Sequence, residues 1–154
     1  MEEQVAVGAV KYSLLRVGIG KDIIFDIEKS LSIEGDSGPY IQYTYARCKS
    51  ILRKAKVSKK TTYSDFSLQE QAILRQVYRF QEYVKEAGER FSPNLIASFS
   101  IELAQAYNSF YNTHRVLQAE NKEQKNFRIM LTAAVAQLLS NSLYLLGIET
   151  PEQM

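Results

Sequence analysis

Tyr40, Tyr43 and Arg47 stand three and then four residues apart. On a helix that spacing places them on one face. Two phenol rings and a guanidinium on one stripe suit stacking on unpaired bases while a cation holds phosphate. Farther on, Tyr107, Tyr111 and His114 stand four and then three residues apart, again on one helical face, with Arg115 and Gln118 close by. The same spacings also fit aromatic packing inside a helix bundle, with the tyrosine hydroxyls reaching water, so both readings stand at this point. Arg47, Lys49, Arg53, Lys54, Lys56, Lys59 and Lys60 form a run with no acid among them. Such a run can follow a phosphate backbone, or it can be a solvated helix end and a flexible loop.

Catalytic chemistry is poorly supplied. His114 and Cys48 are the only histidine and the only cysteine. The usual His/Cys metal spacings are therefore excluded, and neither a metal ligand set nor a catalytic residue is expected. A nucleophilic triad would have to recruit His114, which the pattern places in mid-helix without a supporting motif. Gly18-Ile19-Gly20-Lys21 lacks the spacing and the Ser or Thr of a phosphate-binding loop. A lone cysteine allows no intrachain disulfide and fits a reducing cytoplasm. No apolar run approaches the roughly 18 residues of a membrane helix, so no membrane partner is expected. The start, Met-Glu-Glu-Gln-Val, has no signal-peptide pattern. The net charge of +2 permits nucleic-acid binding without arguing for it.

The elements that must position these residues read as helices. Glu2 to Arg16 is helical, with either Val5, Ala9, Tyr12 and Leu15 or Val5, Val7 and Val10 on its apolar side, and it stops before Gly18 and Gly20. Ile23, Ile24, Phe25 and Ile27 make an apolar knot. After the breakers Gly35 to Pro39, a helix runs from Pro39 to about Lys54, capped by Ser37 or Gly38. Val57 to Phe66 reads as a mobile polar connection. Ser67-Leu68-Gln69-Glu70 is a capping box, followed by a stripe of Ile73, Val77, Phe80, Val84 and Ala87 that ends at Gly88. Ser92-Pro93 opens the next helix, with serine as cap and a core face of Ile96, Phe99, Leu103, Ala106 and Phe110. The last helix spans Lys122 to Leu146, with Phe127, Leu131, Ala134, Leu138 and Leu145 inward and Gly147 as C-cap. With no strand-like alternation, the expected fold is all-α, an antiparallel helix bundle.

Several segments, in order, resemble the arginyl-tRNA synthetases. Val7-Gly8-Ala9-Val10-Lys11-Tyr12 is similar to the G-A-V-K-Y that follows the second catalytic signature of that family. Phe25-Asp26, Gly35 to Tyr43 and Ala46-Arg47 resemble F-D…G-D-T/S-G-P-Y-x-Q-Y-x-x-A-R, and Ser50-Ile51-Leu52-Arg53 continues it. Ala72-Ile73-Leu74-Arg75 is similar to the D-A-L-R signature, with Gln71 in place of the aspartate. Phe110-Tyr111…Val116-Leu117 resembles F-Y…V-L, and Leu145 to Met154 resembles L-L-G-I-x-x-P-x-x-M. The resemblance covers essentially the whole chain.

It implies a class I synthetase that joins arginine to its tRNA with ATP, of which this chain is the helical anticodon-binding part. Residues 1–35 would be the segment linking the catalytic and tRNA-binding parts, and 36–154 the anticodon-binding domain. The H-I-G-H and K-M-S-K signatures of the family belong upstream; Val57-Ser58-Lys59-Lys60 is superficially similar to the second but lies on the wrong side of G-P-Y-x-Q-Y. The chain alone is therefore expected to be inactive, a piece of a longer protein, with ATP, magnesium and arginine handled by the catalytic domain. Its partners would be the anticodon stem-loop of arginine tRNA and that domain. Carried over by position, the resemblance assigns tRNA binding to Tyr40, Tyr43, Arg47, Tyr111, His114, Gln118 and Met154, with His114 and Gln118 departing from an aromatic pattern. The competing reading is a helical protein-interaction module that uses Tyr40, Tyr43, Tyr107 and Tyr111 against a partner helix.

Overall fold

The computed structural model describes residues 2–57 and 60–154. Its described residues form six helices and no strand: α1 (Glu2–Leu15), α2 (Ile27–Leu31), α3 (Gly38–Arg53), α4 (Leu68–Glu89), α5 (Asn94–Thr113) and α6 (Lys122–Leu145). The α5 and α6 helices form the middle of the molecule. Both pack on α3 and on α4, while α3 and α4 do not meet. The α1 helix lies on α3.

Local chemistry starts and stops these helices largely where the sequence places the signals. Ser37 caps α3 by accepting from the Tyr40 N–H at 3.1 Å, and Pro39 sits in the first turn, where its missing N–H costs nothing. At α4 the Ser67 hydroxyl accepts from the Glu70 N–H, and the Glu70 carboxylate accepts from the Ser67 N–H at 2.8 Å. Asn121 caps α6 by accepting from the Gln124 N–H. Gly147, at φ 67°, ends α6 in a Schellman turn, with Ile148 N–H donating to the Leu143 carbonyl and Gly147 N–H to that of Tyr144.

Other expectations need correction. Ser92 does not cap α5; its hydroxyl donates to the Arg90 carbonyl, and Pro93 occupies the cap position without a side-chain bond. The α5 helix also ends sooner than expected. His114 is its C-cap, in extended conformation, not a mid-helix residue. Leu145 is half exposed; Val135, Leu139 and Leu143 are fully buried instead. The connection before α4 is anchored where it was expected to be mobile: Tyr63 and Phe66 pack on Phe127, with ring centroids 5.4 and 4.7 Å away. Residues 58 and 59 of that connection, and with them part of the basic run, lie outside the described residues.

The first helix resolves its two alternatives in favour of Ala9 and Tyr12, which are buried, while Val7 and Val10 face outward. It approaches α3 through glycines. A Cβ on Gly38 would stand 2.6 Å from the Gly8 carbonyl oxygen, and one on Gly8 would strike the Gln42 amide. The apolar knot is no core element. Ile24 is 92 % exposed, and Ile23, Phe25 and Ile27 are also open.

Candidate functional site

One face of α3 carries Tyr43, Arg47 and Ser50, and the C-cap Lys54 continues the row, at spacings of four, three and four. Opposite this row lie Tyr111 and His114 at the end of α5, Arg115 to Gln118 in the loop that follows, and Gln153 and Met154 of the C-terminal tail. Together they line a cavity of about 850 Å³. Tyr43, Arg47, Tyr111, His114, Gln118 and Met154 thus converge from distant parts of the chain. Tyr40 does not. It is half-buried, packs against the core and is absent from the cavity wall.

Arg47 sits at the centre. Its guanidinium carbon lies 4.9 Å from the Tyr43 ring centroid and 4.7 Å from that of Tyr111. Both rings present negative faces to the cation. One guanidinium nitrogen donates to Asn108 Oδ1, and Asn108 Nδ2 donates in turn to Thr44 Oγ1 at 2.8 Å. The cation is therefore a fixed one, set against two rings and tethered to Asn108. Asn108 lies 61 residues from Arg47, and no local pattern marks it.

The tail is held along its length. Gln42, buried beneath α1, donates to the Glu149 carbonyl at 2.8 Å and to that of Gln4 at 3.2 Å. Gln4 bonds the Glu149 carboxylate at 2.6 Å. Lys49 pairs with the Glu152 carboxylate at 2.9 Å, and Arg53 donates to the Glu152 carbonyl at 3.1 Å. Two members of the basic run are thus engaged in placing the tail, which delivers Met154 to the cavity with 40 % of its surface exposed.

The loop after α5 is fixed from beneath by Arg128. This side chain is nearly buried, donates through Nε to Glu70 Oε1 at 2.8 Å, and donates through Nη1 to the Arg115 carbonyl at 3.1 Å. Burial pushes the Glu70 carboxyl upward, but the bonds from Arg128 and Ser67 outweigh it and hold the group below its ordinary value. The capping box of α4 therefore also anchors the residue that holds the cavity loop.

The charge of the cavity is one-sided. Arg47, Arg53, Lys54 and Arg115 line it, and among the described residues no carboxylate side chain does. Cations around a concave wall attract an anion, and exposed rings among them offer stacking surfaces. Arg53, Lys54 and Arg115 were visible in the sequence only as basic character near the aromatic sets. Cys48 points into the core, where burial pushes its thiol up to about 12. Tyr107, which shares the spacing of Tyr111, is fully buried, with its hydroxyl against Thr132. Its burial removes one of the four rings of the proposed partner-helix surface, and the half-burial of Tyr40 removes most of another. That protein-interaction surface does not exist as drawn from spacing.

The sequence profile of the DALR anticodon binding domain matches residues 41–154. The arginine–tRNA ligase of Pyrococcus abyssi is 42 % identical over 99 % of this chain, which covers 25 % of that protein. That of Clostridium perfringens is 38 % identical over 99 % of this chain and 28 % of its own length. Among solved structures, the arginyl-tRNA synthetase of Thermus thermophilus superposes with a TM-score of 0.91 at 35 % identity, covering 98 % of this chain and 27 % of that one. The arginyl-tRNA synthetase of Plasmodium falciparum gives 0.87 at 25 % identity, covering 99 % and 27 %. The chain spans about a quarter of the length of these relatives.

Proposed function

We infer the role of the cavity from one premise: the chain belongs to the DALR anticodon-binding domain family. The cavity of Tyr43, Arg47, Tyr111, His114, Gln118 and Met154 holds the unpaired bases of a tRNA anticodon loop, and the tRNA is that for arginine. The observation that carries this reading is the Tyr43–Arg47–Tyr111 cluster, which opens onto a wall whose described charged side chains are all cationic. The tyrosine rings stack on splayed bases, and Arg53, Lys54 and Arg115 meet the backbone phosphates. Tyr40, half-buried away from the cavity, acts through packing.

The longer protein ligates arginine to that tRNA. ATP, magnesium and arginine are handled by its catalytic domain, in a cytoplasmic setting. Residues 1–35 form the junction with that domain, and 36–154 the tRNA-binding unit. The outward-facing Val7, Val10, Ile23, Ile24, Phe25 and Ile27 support a junction, since apolar patches of this kind mark contact surfaces.

Calorimetric titration of arginine tRNA and a noncognate tRNA, at salt from 50 to 200 mM, tests the reading. The expected result is tighter binding of the arginine tRNA and an affinity that falls steeply with salt as counterions are released. Equal binding of the two, or binding indifferent to salt, would count against it.

A further inference from the structure

We propose that His114 is a specificity-determining residue of this cavity, whose Nε2 accepts a hydrogen bond from an N–H group on one unpaired nucleobase. The assignment rests on the reading of the cavity as an RNA site and adds to it a particular atom and a particular polarity.

The Nδ1 edge of the ring fixes that polarity. Nδ1 lies 3.2 Å from the Phe110 carbonyl oxygen, which can only accept. It also lies 2.7 Å from the Thr113 hydroxyl. That hydroxyl has carbonyls of its own to donate to, Ser109 at 3.0 Å and Phe110 at 3.2 Å, which leaves its lone pair facing the imidazole. The carbonyl calls for a hydrogen on Nδ1, and the Thr113 hydroxyl is able to accept from it. In the neutral ring, a hydrogen on Nδ1 leaves a lone pair on Nε2.

The ring is also held in place. It stacks on the fully buried Phe110 ring with centroids 5.0 Å apart and planes 19° from parallel. The backbone N–H of His114 donates to the Phe110 carbonyl at 2.8 Å. His114 is the C-cap where α5 turns extended, and it lines the cavity. No hydrogen bond from Nε2 to another described residue occupies this edge.

The cations of this wall cannot take that role. Arg47, Arg53, Lys54 and Arg115 offer donors only, so they satisfy phosphate or carbonyl oxygen wherever it falls. The Gln118 amide oxygen already receives Arg115 Nη1 at 3.4 Å. A base that turns an amino or imino N–H toward His114 meets a fixed acceptor; a base that turns an oxygen there meets a second lone pair. The cations thus bind, and the imidazole discriminates.

The test is a set of thermodynamic cycles on the anticodon stem-loop of arginine tRNA, with wild-type protein and His114→Phe at pH 8 and fixed salt. Phenylalanine keeps the stacking on Phe110 and removes the acceptor. Each loop base is replaced in turn by an analogue lacking its hydrogen-bonding N–H, purine for adenine or 3-methyluracil for uracil. At one position the replacement should weaken wild-type binding by about five- to tenfold and leave the variant unaffected. Equal losses in both proteins at every position would overturn the assignment. Independently of any variant, the imidazole nitrogen-15 shifts of the wild-type protein are unambiguous, because the chain has one histidine. They should report hydrogen on Nδ1, and an Nε2–H tautomer in the free protein would also overturn it. Failure of the wild-type protein to bind the unmodified stem-loop would sink the RNA reading itself, and this assignment with it.

Discussion

Arg47 donates one guanidinium nitrogen to Asn108 and lies against two tyrosine rings, so its charge reaches the cavity from a fixed position. Lysine would keep the charge but lose the planar stack and the fork. Replacing Tyr43 or Tyr111 by alanine should weaken binding of the anticodon stem-loop by about 1–3 kcal/mol each, measured by filter binding at fixed salt. Tyr40→Ala should behave differently. Its ring packs on the core, so the variant should melt earlier by circular dichroism while binding RNA almost as the parent does. The sequence makes Tyr43 and Arg47 legible through helical spacing. It also groups Tyr40 with them, because a face repeats every two turns. Tyr40 and Arg47 do share a face, but Tyr40 lies past the end of the opposing wall and packs on the core instead. Angular position is written in the spacing; where the opposing wall begins is not. His114 shows the same limit. Its residue type was readable, but its place at the end of α5, which orients the ring, was not.

Helices meet through a few costly joints, and these carry the predictions at the scale of elements. Arg128 joins the α4 cap to the α5–α6 loop through Glu70 and the Arg115 carbonyl. Arg128→Met would leave Glu70 buried without its cation, a change that typically costs about 3–5 kcal/mol; urea denaturation should show it. The depressed Glu70 carboxyl sets a pH dependence with a definite sign. Its contribution is present above the ordinary carboxylate value and disappears as pH falls through the lower folded-state value. Urea midpoints measured from pH 7 down to pH 2 should therefore fall less in Glu70→Gln than in the parent. At the α1–α3 crossing, Gly38→Ala would press a methyl group against the Gly8 carbonyl. The expected cost is about 1–3 kcal/mol, with faster amide hydrogen exchange concentrated in α1. The helix starts at Ser37 and Ser67 and the stop at Gly147 were legible because a cap is a local bargain between neighbouring residues. Ser92 misled because its hydroxyl found the Arg90 carbonyl instead. The docking of Tyr63 and Phe66 on Phe127 was hidden because the ring they cover lies far along the chain.

At the scale of the molecule, two surfaces stand out. Residues of α1 and the segment after it expose Val7, Val10, Ile24 and Ile27, while the cavity lies between α3, the end of α5 and the tail. The tail spans the distance between these regions. Gln4 and Gln42 hold Glu149 near α1, and Lys49 and Arg53 hold Glu152 beside the cavity. An all-helical fold and a basic aromatic face were readable from the chain. The tethered tail was not, because hydrogen bonds such as Gln42 to Glu149 span 107 residues without a periodic trace. The central claim is spatial: one cavity receives the anticodon loop. Amide and methyl NMR spectra of the protein, titrated with the arginine tRNA anticodon stem-loop, test it most directly. The account predicts shifts concentrated on Tyr43 to Lys54, Tyr111 to Gln118 and Met154, with α4 and the apolar face of α1 silent. Shifts concentrated on the outer face of α4 or on α1, with Tyr43, Tyr111 and Met154 unmoved, would contradict it.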